Sequence, residues 1–417
     1  MKTIYTSVGL LALGASIVAP SAHAEEAGKP WNVSASLRGF YDDNWTTASI
    51  RTNRSSSFGF DLSPSASFKQ SYGPTDVEYG YTYGMKYYES RKNNSADHSH
   101  DAEVKIKHVF PERVKLTVSD SFVVAQESAV LDTSGVSTSV KRSNGNNLRN
   151  SGGVTLGVEL TRLLSTEIGY NNNLFSYDDK GPNSRSALLD RVEHLGHLDL
   201  RWEFEPTTVG ILGYQYGYTA MGGRGLISGI KDTIPGSATA SPSTRDTRSH
   251  YVYVGADHSF SQQLTGSARA GFQYTQFPFA EGGKSSTTSP YADFSGSYAY
   301  SPDGGLSLGI RHSRNATDLA GGTLDAESTT VYSQITHKFS DKLTASVNAQ
   351  YQLSDFKGGG ANGKSDNLFL AGVSGSYEIV KARLWAEAGY NYDRLDSDLS
   401  NRSFYRNRVF LGLKASY

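Results

Sequence analysis

The sequence predicts an all-β chain: a closed, up-and-down antiparallel transmembrane β-barrel of about 18 strands, within a range of about 16 to 20. Three observations predict it. Apolar residues recur at every second position through segments such as 264–276 and 343–353. That is the period of a strand, and no helical spacing fits. Short turns alternate with long polar connections along the chain, which puts turns on one rim and loops on the other. The composition is 37% hydrophobic, with 26 Tyr, 18 Phe and 43 Gly. That is too poor in aliphatic residues for a packed soluble interior of this length, and it suits a wall with a single apolar face.

Taken in order, residues 1–24 read as a signal peptide and 25–417 as one barrel domain. Lys2 precedes the apolar run "VGLLALGASIVAP", and "SAHA" supplies the small-x-small cleavage pattern after Ala24. No later segment approaches the roughly 18 continuous apolar residues of a membrane-spanning helix. The first strand, about 31–45, sets Trp31, Val33, Ala35, Leu37, Gly39 and Tyr41 against Asn32, Ser34, Ser36 and Arg38. Short turns follow at "YGPTD" (72–76), "FPERV" (110–114), "TRLLST" (161–166), "FEPTT" (204–208), "YSPDGG" (300–305) and "EIVKA" (378–382). Two more lie in an internal repeat, where "HSFSQQLTGSARAGFQYTQF" (258–277) and "HKFSDKLTASVNAQYQLSDF" (337–356) align without a gap. The repeated unit is strand end, turn and next strand, hence a hairpin. Eight short turns and nine longer loops, the longest near 128–148 and 221–247, yield eighteen strands. No domain boundary and no convincing helix interrupts them.

The last strand, about 404–417, is equally regular. Val409, Leu411, Leu413 and Tyr417 make its apolar face. In lipid every backbone N–H and C=O needs a partner within the protein, so this strand is expected to close the ring against the first. "FYRNRVFLGLKASY" resembles the closing strand of the putative β-barrel porin 2 family, among Gram-negative outer-membrane barrels. The resemblance implies outer-membrane localisation, membrane lipid as surroundings, and Val409, Leu411, Leu413 and Tyr417 as the signal read by the barrel-assembly machinery. Tyr417 stands where Phe is more usual. Some members of that family accompany exopolysaccharide export systems, which implies periplasmic export components as partners.

A barrel of this size is wide enough for an aqueous channel unless loops fill it. Strand parity aims Arg38, Lys86, Arg201, Arg269, Arg311, Arg383, Arg406 and Arg408 inward, with Glu78, Asp199 and Glu387 among the anions. These charges either pair with one another along the wall or form a selectivity ladder. In the 221–247 loop, Leu226, Ile227, Ile230 and Ile234 make an apolar patch suited to a constriction that folds inward or over the mouth, or equally to packing on neighbouring loops or contact with a partner. Lys141 and Arg142, beside an Asn-rich run, are suited to an acidic sugar or to simple hydration.

Other chemistry is poorly supported. Without cysteine there is no disulfide framework or thiolate metal site, and Lys+Arg of 40 against Asp+Glu of 41 draws no nucleic acid. His98 and His100 are metal-ligand types at i, i+2 but lack further ligands at a defined spacing. "GLSLG" (305–309) places Ser307 inside an alternating strand, not on a nucleophile elbow. "GGGANGKS" (358–365) is followed by strand alternation, so no helix N-terminus awaits a phosphate. No cofactor and no enzymatic activity are expected. The expected function is a porin-like passive channel or export conduit for small polar solutes or glycans. The alternative is a plugged barrel acting as a surface-binding or structural outer-membrane protein.

Overall fold

The computed structural model describes residues 29–50, 54–111, 113–127, 140–142, 145–228, 239–280 and 284–417. The expected signal peptide lies outside the described residues, as do Ile230 and Ile234.

Eighteen strands form one antiparallel sheet. They are β1 (Trp31–Asp42), β2 (Ser57–Tyr72), β3 (Thr75–Tyr88), β4 (Ala96–Phe110), β5 (Val114–Ala125), β6 (Asn147–Glu159), β7 (Leu164–Tyr177), β8 (Arg191–Glu205) and β9 (Thr208–Met221). The second half comprises β10 (Thr247–Ser259), β11 (Leu264–Phe277), β12 (Ser285–Ser301), β13 (Gly304–Asn315), β14 (Asp325–Lys338), β15 (Leu343–Lys357), β16 (Ser365–Val380), β17 (Leu384–Ser397) and β18 (Phe404–Ser416). Each strand pairs with its neighbours in sequence, so every hairpin expected from the turns is present.

The ring closes where the sequence says it must. β1 pairs with β18 in antiparallel register, Leu37 opposite Leu413 and Tyr41 opposite Val409. Beyond the last ladder residue, the Tyr417 N–H donates to the Val33 carbonyl at 2.8 Å and the Val33 N–H to the Tyr417 carbonyl at 3.1 Å. A chain end that would otherwise fray is held by two backbone bonds. Trp31 packs on Tyr417 with ring centroids 5.8 Å apart.

Alternation sorts the side chains onto two walls. Outside stand Val252, Val254, Phe272, Leu308, Val347, Val409, Leu411 and Leu413, all large, apolar and exposed. The intervening residues face inward and are largely polar: Gln215, Arg269, Gln273, Ser328, Thr330, Gln350, Gln352 and Arg406 are all buried. A soluble protein rarely exposes so much apolar surface, whereas a barrel in hydrocarbon must.

Histidine at the short turns is part of a repeated aromatic rim. His258 meets Phe260 edge-on at 4.4 Å and His337 meets Phe339 at 4.6 Å. His108 and Phe110 repeat the arrangement at 4.3 Å. The expectation of no helix needs correcting for one turn: Arg185–Leu189 is helical, capped by Ser184, whose hydroxyl accepts from the Ala187 N–H. Five residues are too few to show a helical period, but burial of Ala187, Leu188 and Leu189 holds the turn in place.

Candidate functional site: the inner wall and the loops at its mouth

Ten of the eleven residues expected on the inner wall lie on the face opposite the exposed apolar one, and most are paired. Arg38 donates to Glu387 at 2.6 Å and 2.9 Å. Asp257 accepts from Arg201 at 2.6 Å and from Arg269 at 2.9 Å. Arg311 pairs with Asp293 at 2.9 Å. Glu78 meets Lys69 at 3.7 Å, and Asp199 accepts from the Tyr253 hydroxyl at 2.6 Å. Arg383 differs: it sits in the turn between β16 and β17 and is exposed, so it belongs to the rim. Parity counted through the turn as if it were strand causes that error. Of the two readings of these charges, mutual pairing is what the geometry shows.

At the long-loop end the paired charges condense into a network around Glu127, just past β5. Its carboxylate meets Arg406 at 3.0 Å, Arg408 at 3.5 Å, Lys86 at 3.8 Å and Arg142 at 3.8 Å. Arg406 also grips Asp42 at 2.5 Å and Arg408 meets Asp393 at 3.2 Å. Arg142 pairs with Asp97, which also accepts from Arg91 at 2.6 Å. The Arg91 and Arg142 guanidiniums lie over the ring of Trp45, 5.0 Å and 5.3 Å from its centroid. Burial by itself raises the Glu127 carboxyl, but Arg406, Lys86, Arg408 and Arg142 outweigh it and hold the group well below the usual carboxylate range. Buried charges at this density survive only because each has opposite-sign partners.

The network also pulls loops across the mouth. Val140 and Arg142 come from the connection between β5 and β6. Yet Val140 packs against the cluster of Leu368, Leu370, Leu395 and Phe404 on β16–β18, six strands round the ring. Arg402, before β18, binds Asp318 at 2.5 Å and Asp366 at 2.7 Å, tying the loops before β14 and β18 to the start of β16. Burial opposes its charge, but those two carboxylates raise its pKa above the usual guanidinium value. Arg245, before β10, gives its guanidinium to the carbonyls of Leu188, Thr317 and Leu324 at 3.0, 2.6 and 3.3 Å. Burial brings its pKa down to about 10 despite Asp325 and Asp318.

Ile227 and Leu226 separate within the expected constriction patch. Ile227 is buried in a cluster with Tyr177, Ala187, Leu188, Leu189 and Ala240, while Leu226 is 50% exposed. Ile227–Ser228 and Thr239–Ala240 form a small ribbon that carries the patch onto the helical turn. Of the patch, Ile227 thus packs on the neighbouring connection between β7 and β8. Arg142 is not a free ligand for an acidic sugar, because its guanidinium is committed to Asp97, Gln126 and Glu127. Glu127, Asp42, Arg245 and Arg402 are residues that sequence reasoning missed. Their only signal is a charged residue at or next to a strand end.

His98 and His100 lie on the outer face, where their Nδ1 atoms meet the Tyr83 and Tyr81 hydroxyls at 2.7 and 2.9 Å. Among the described residues no group of three or more metal-ligating side chains comes together. Ser307 lies mid-strand opposite Ser297 and Gln334.

Residues 236–417 match the family model described as Putative beta-barrel porin 2. The match spans β10 to β18 and includes the closing strand that carried the resemblance. No curated protein matches the chain. Among solved structures, the outer membrane protein OpdK from Pseudomonas aeruginosa is 12% identical, with 93% of this chain and 99% of that chain covered and a TM-score of 0.43. A BenF-like porin from Pseudomonas fluorescens is 12% identical over the same shares, with a TM-score of 0.46. The FrpB iron transporter from Neisseria meningitidis is 10% identical, covering 94% and 81%, with a TM-score of 0.45.

Proposed function

We propose that the chain is a porin-like channel of the Gram-negative outer membrane, passing small polar solutes or glycan segments, with a mouth narrowed by its own loops. The observation that carries this is the pair of walls: an apolar exterior around a closed ring, and an interior of paired charges, amides and hydroxyls. An interior built to exclude water would not spend so many buried polar groups. β18, with its exposed Val409, Leu411, Leu413 and Tyr417, is the segment we assign to the barrel-assembly machinery, and periplasmic export components are partners of the conduit version. Transport involves no covalent step, so no catalytic role is assigned.

Reconstitution in planar bilayers tests this. The expected result is discrete conductance steps that grow when residues 222–246 are replaced by a short turn or when Glu127→Gln loosens the network. A folded barrel that stays silent in both variants overturns the channel. That outcome favours a plugged barrel with a surface role, the reading to which the loop network itself lends support.

A further inference from the structure

On the outer wall one carboxylate stands in mid-strand. On β5 the outward residues are Val114, Leu116, Val118, Asp120, Phe122 and Val124. Asp120 is near the middle of the strand, between Val118 and Phe122, with Val104 opposite it on β4. Its two carboxylate oxygens accept from one amide, Asn150 Nδ2, at 3.0 and 3.1 Å. Among the described residues no cation pairs with it.

Gly152 lies opposite Asp120 on β6, and a Cβ there would come within 3.1 Å of the Asp120 Oδ1. The carboxylate therefore lies flat over a glycine. Opposite Gly152 on the other side is Asn172 of β7. There the Asn172 amide donates to the Glu193 carbonyl at 3.3 Å and, like the Tyr170 hydroxyl, meets His194 Nδ1, at 3.2 and 2.7 Å, so two donors share one ring nitrogen. The patch thus has an acceptor on one flank, donors on the other and no side chain at its centre. Tyr–His pairs recur on the outer face, between Tyr214 and His250 and between Tyr83 and His98, but with no mid-strand carboxylate beside them; the far wall carries Leu308, Ile310 and Val331 there.

A carboxylate facing acyl chains is costly unless something polar covers it. We propose that a second copy of this chain covers it, related by a two-fold axis along the membrane normal through Gly152. The proposal rests on the outer-membrane reading above. Such an axis sets the β5 flank of each copy against the β7 flank of the other, so each Asp120 faces the Tyr170 and Asn172 donors of its mate. Glycine on the axis lets the two walls approach closely, as small residues do between packed membrane segments. No outward lysine or arginine is needed, and the same residues serve both copies.

The chain contains no cysteine, so single introduced thiols report contacts cleanly. Gly152→Cys in oxidised outer membranes is expected to give a disulfide-linked dimer, and Val331→Cys on the far wall is expected to give none. In lipid nanodiscs the unmodified chain is expected to run as a dimer by mass. Asp120→Val and Gly152→Leu are expected to weaken it at least tenfold while keeping the heat-modifiable mobility of a folded barrel. A monomer in nanodiscs, a dimer indifferent to both substitutions, cross-linking equal at both positions, a larger ring, or a different protein bound at that face would each overturn the proposal. If the folded chain proves not to reside in the membrane at all, the outer-membrane reading fails first, and fractionation shows that separately.

Discussion

The two rims of the barrel are held by different physics. At the short-turn rim, connections run only two to four residues, as with the turn between β2 and β3 or that between β14 and β15. Their bonds are local: the Ser261 N–H donates to the Leu264 carbonyl and the Phe339 N–H to the Leu343 carbonyl. Gly73, at a φ of 59°, supplies the left-handed residue its two-residue turn requires. At the opposite rim the bonds are long-range. Arg406 reaches Asp42 across 364 positions in sequence and Arg402 reaches Asp318 across 84. Turns therefore survive by local geometry, whereas the mouth depends on ion pairs that exist only when the ring is closed.

The largest expected effect comes from breaking what both rims share. Deleting 408–417 removes most of β18 and leaves β1 and β17 with unpaired edges, so no heat-modifiable barrel should form. Tyr417→Ser should impair assembly less, because the backbone bonds of residue 417 remain available. Next comes the mouth. Arg142→Ala leaves Asp97 and Glu127 short of a partner, a loss on the order of 3–5 kcal/mol for a buried pair. Denaturant titration should show it, with bilayer conductance rising while the turn rim keeps its hydrogen-exchange protection. Equal exchange at both rims would break the comparison.

The walls give a smaller effect. Val347 faces outward and Asn348 inward, so Val347→Lys should cost roughly 2–4 kcal/mol in lipid and Asn348→Lys much less. Equal costs would mean that the two faces are misassigned. Acidity separates the rims more gently. The Glu127 carboxyl is depressed in the folded chain, so its stabilisation is complete above the ordinary glutamate value of about 4.3 and is lost as pH falls through the lower folded value. Conductance should stay constant from about pH 7 to 5 and change only in stronger acid. At the short-turn rim Asp341→Ala, which removes a wholly exposed partner of Lys338, should leave the unfolding midpoint unmoved.

Much of the barrel could be read before folding because a strand's face is a parity rule. Leu411 and Arg406 on β18 landed on the expected sides, as did Arg269 on β11. Parity failed at Arg383 because a turn resets it. It also hid the outer polar patch: Asp120, Gly152 and Asn172 look unremarkable singly, and only register sets them side by side. The outer faces are accordingly not uniformly apolar. The short helix escaped notice because a polar loop surrounds it.

Residue order by itself determined the alternating walls, the eight turns and the need for the two ends to meet, since each follows from local spacing and from the demand that backbone groups be paired in lipid. Only the tertiary structure decided which charge holds which, and that loops rooted many strands apart meet over the bore. Ion pairing acts through space and is blind to distance along the chain, so no local pattern encodes it.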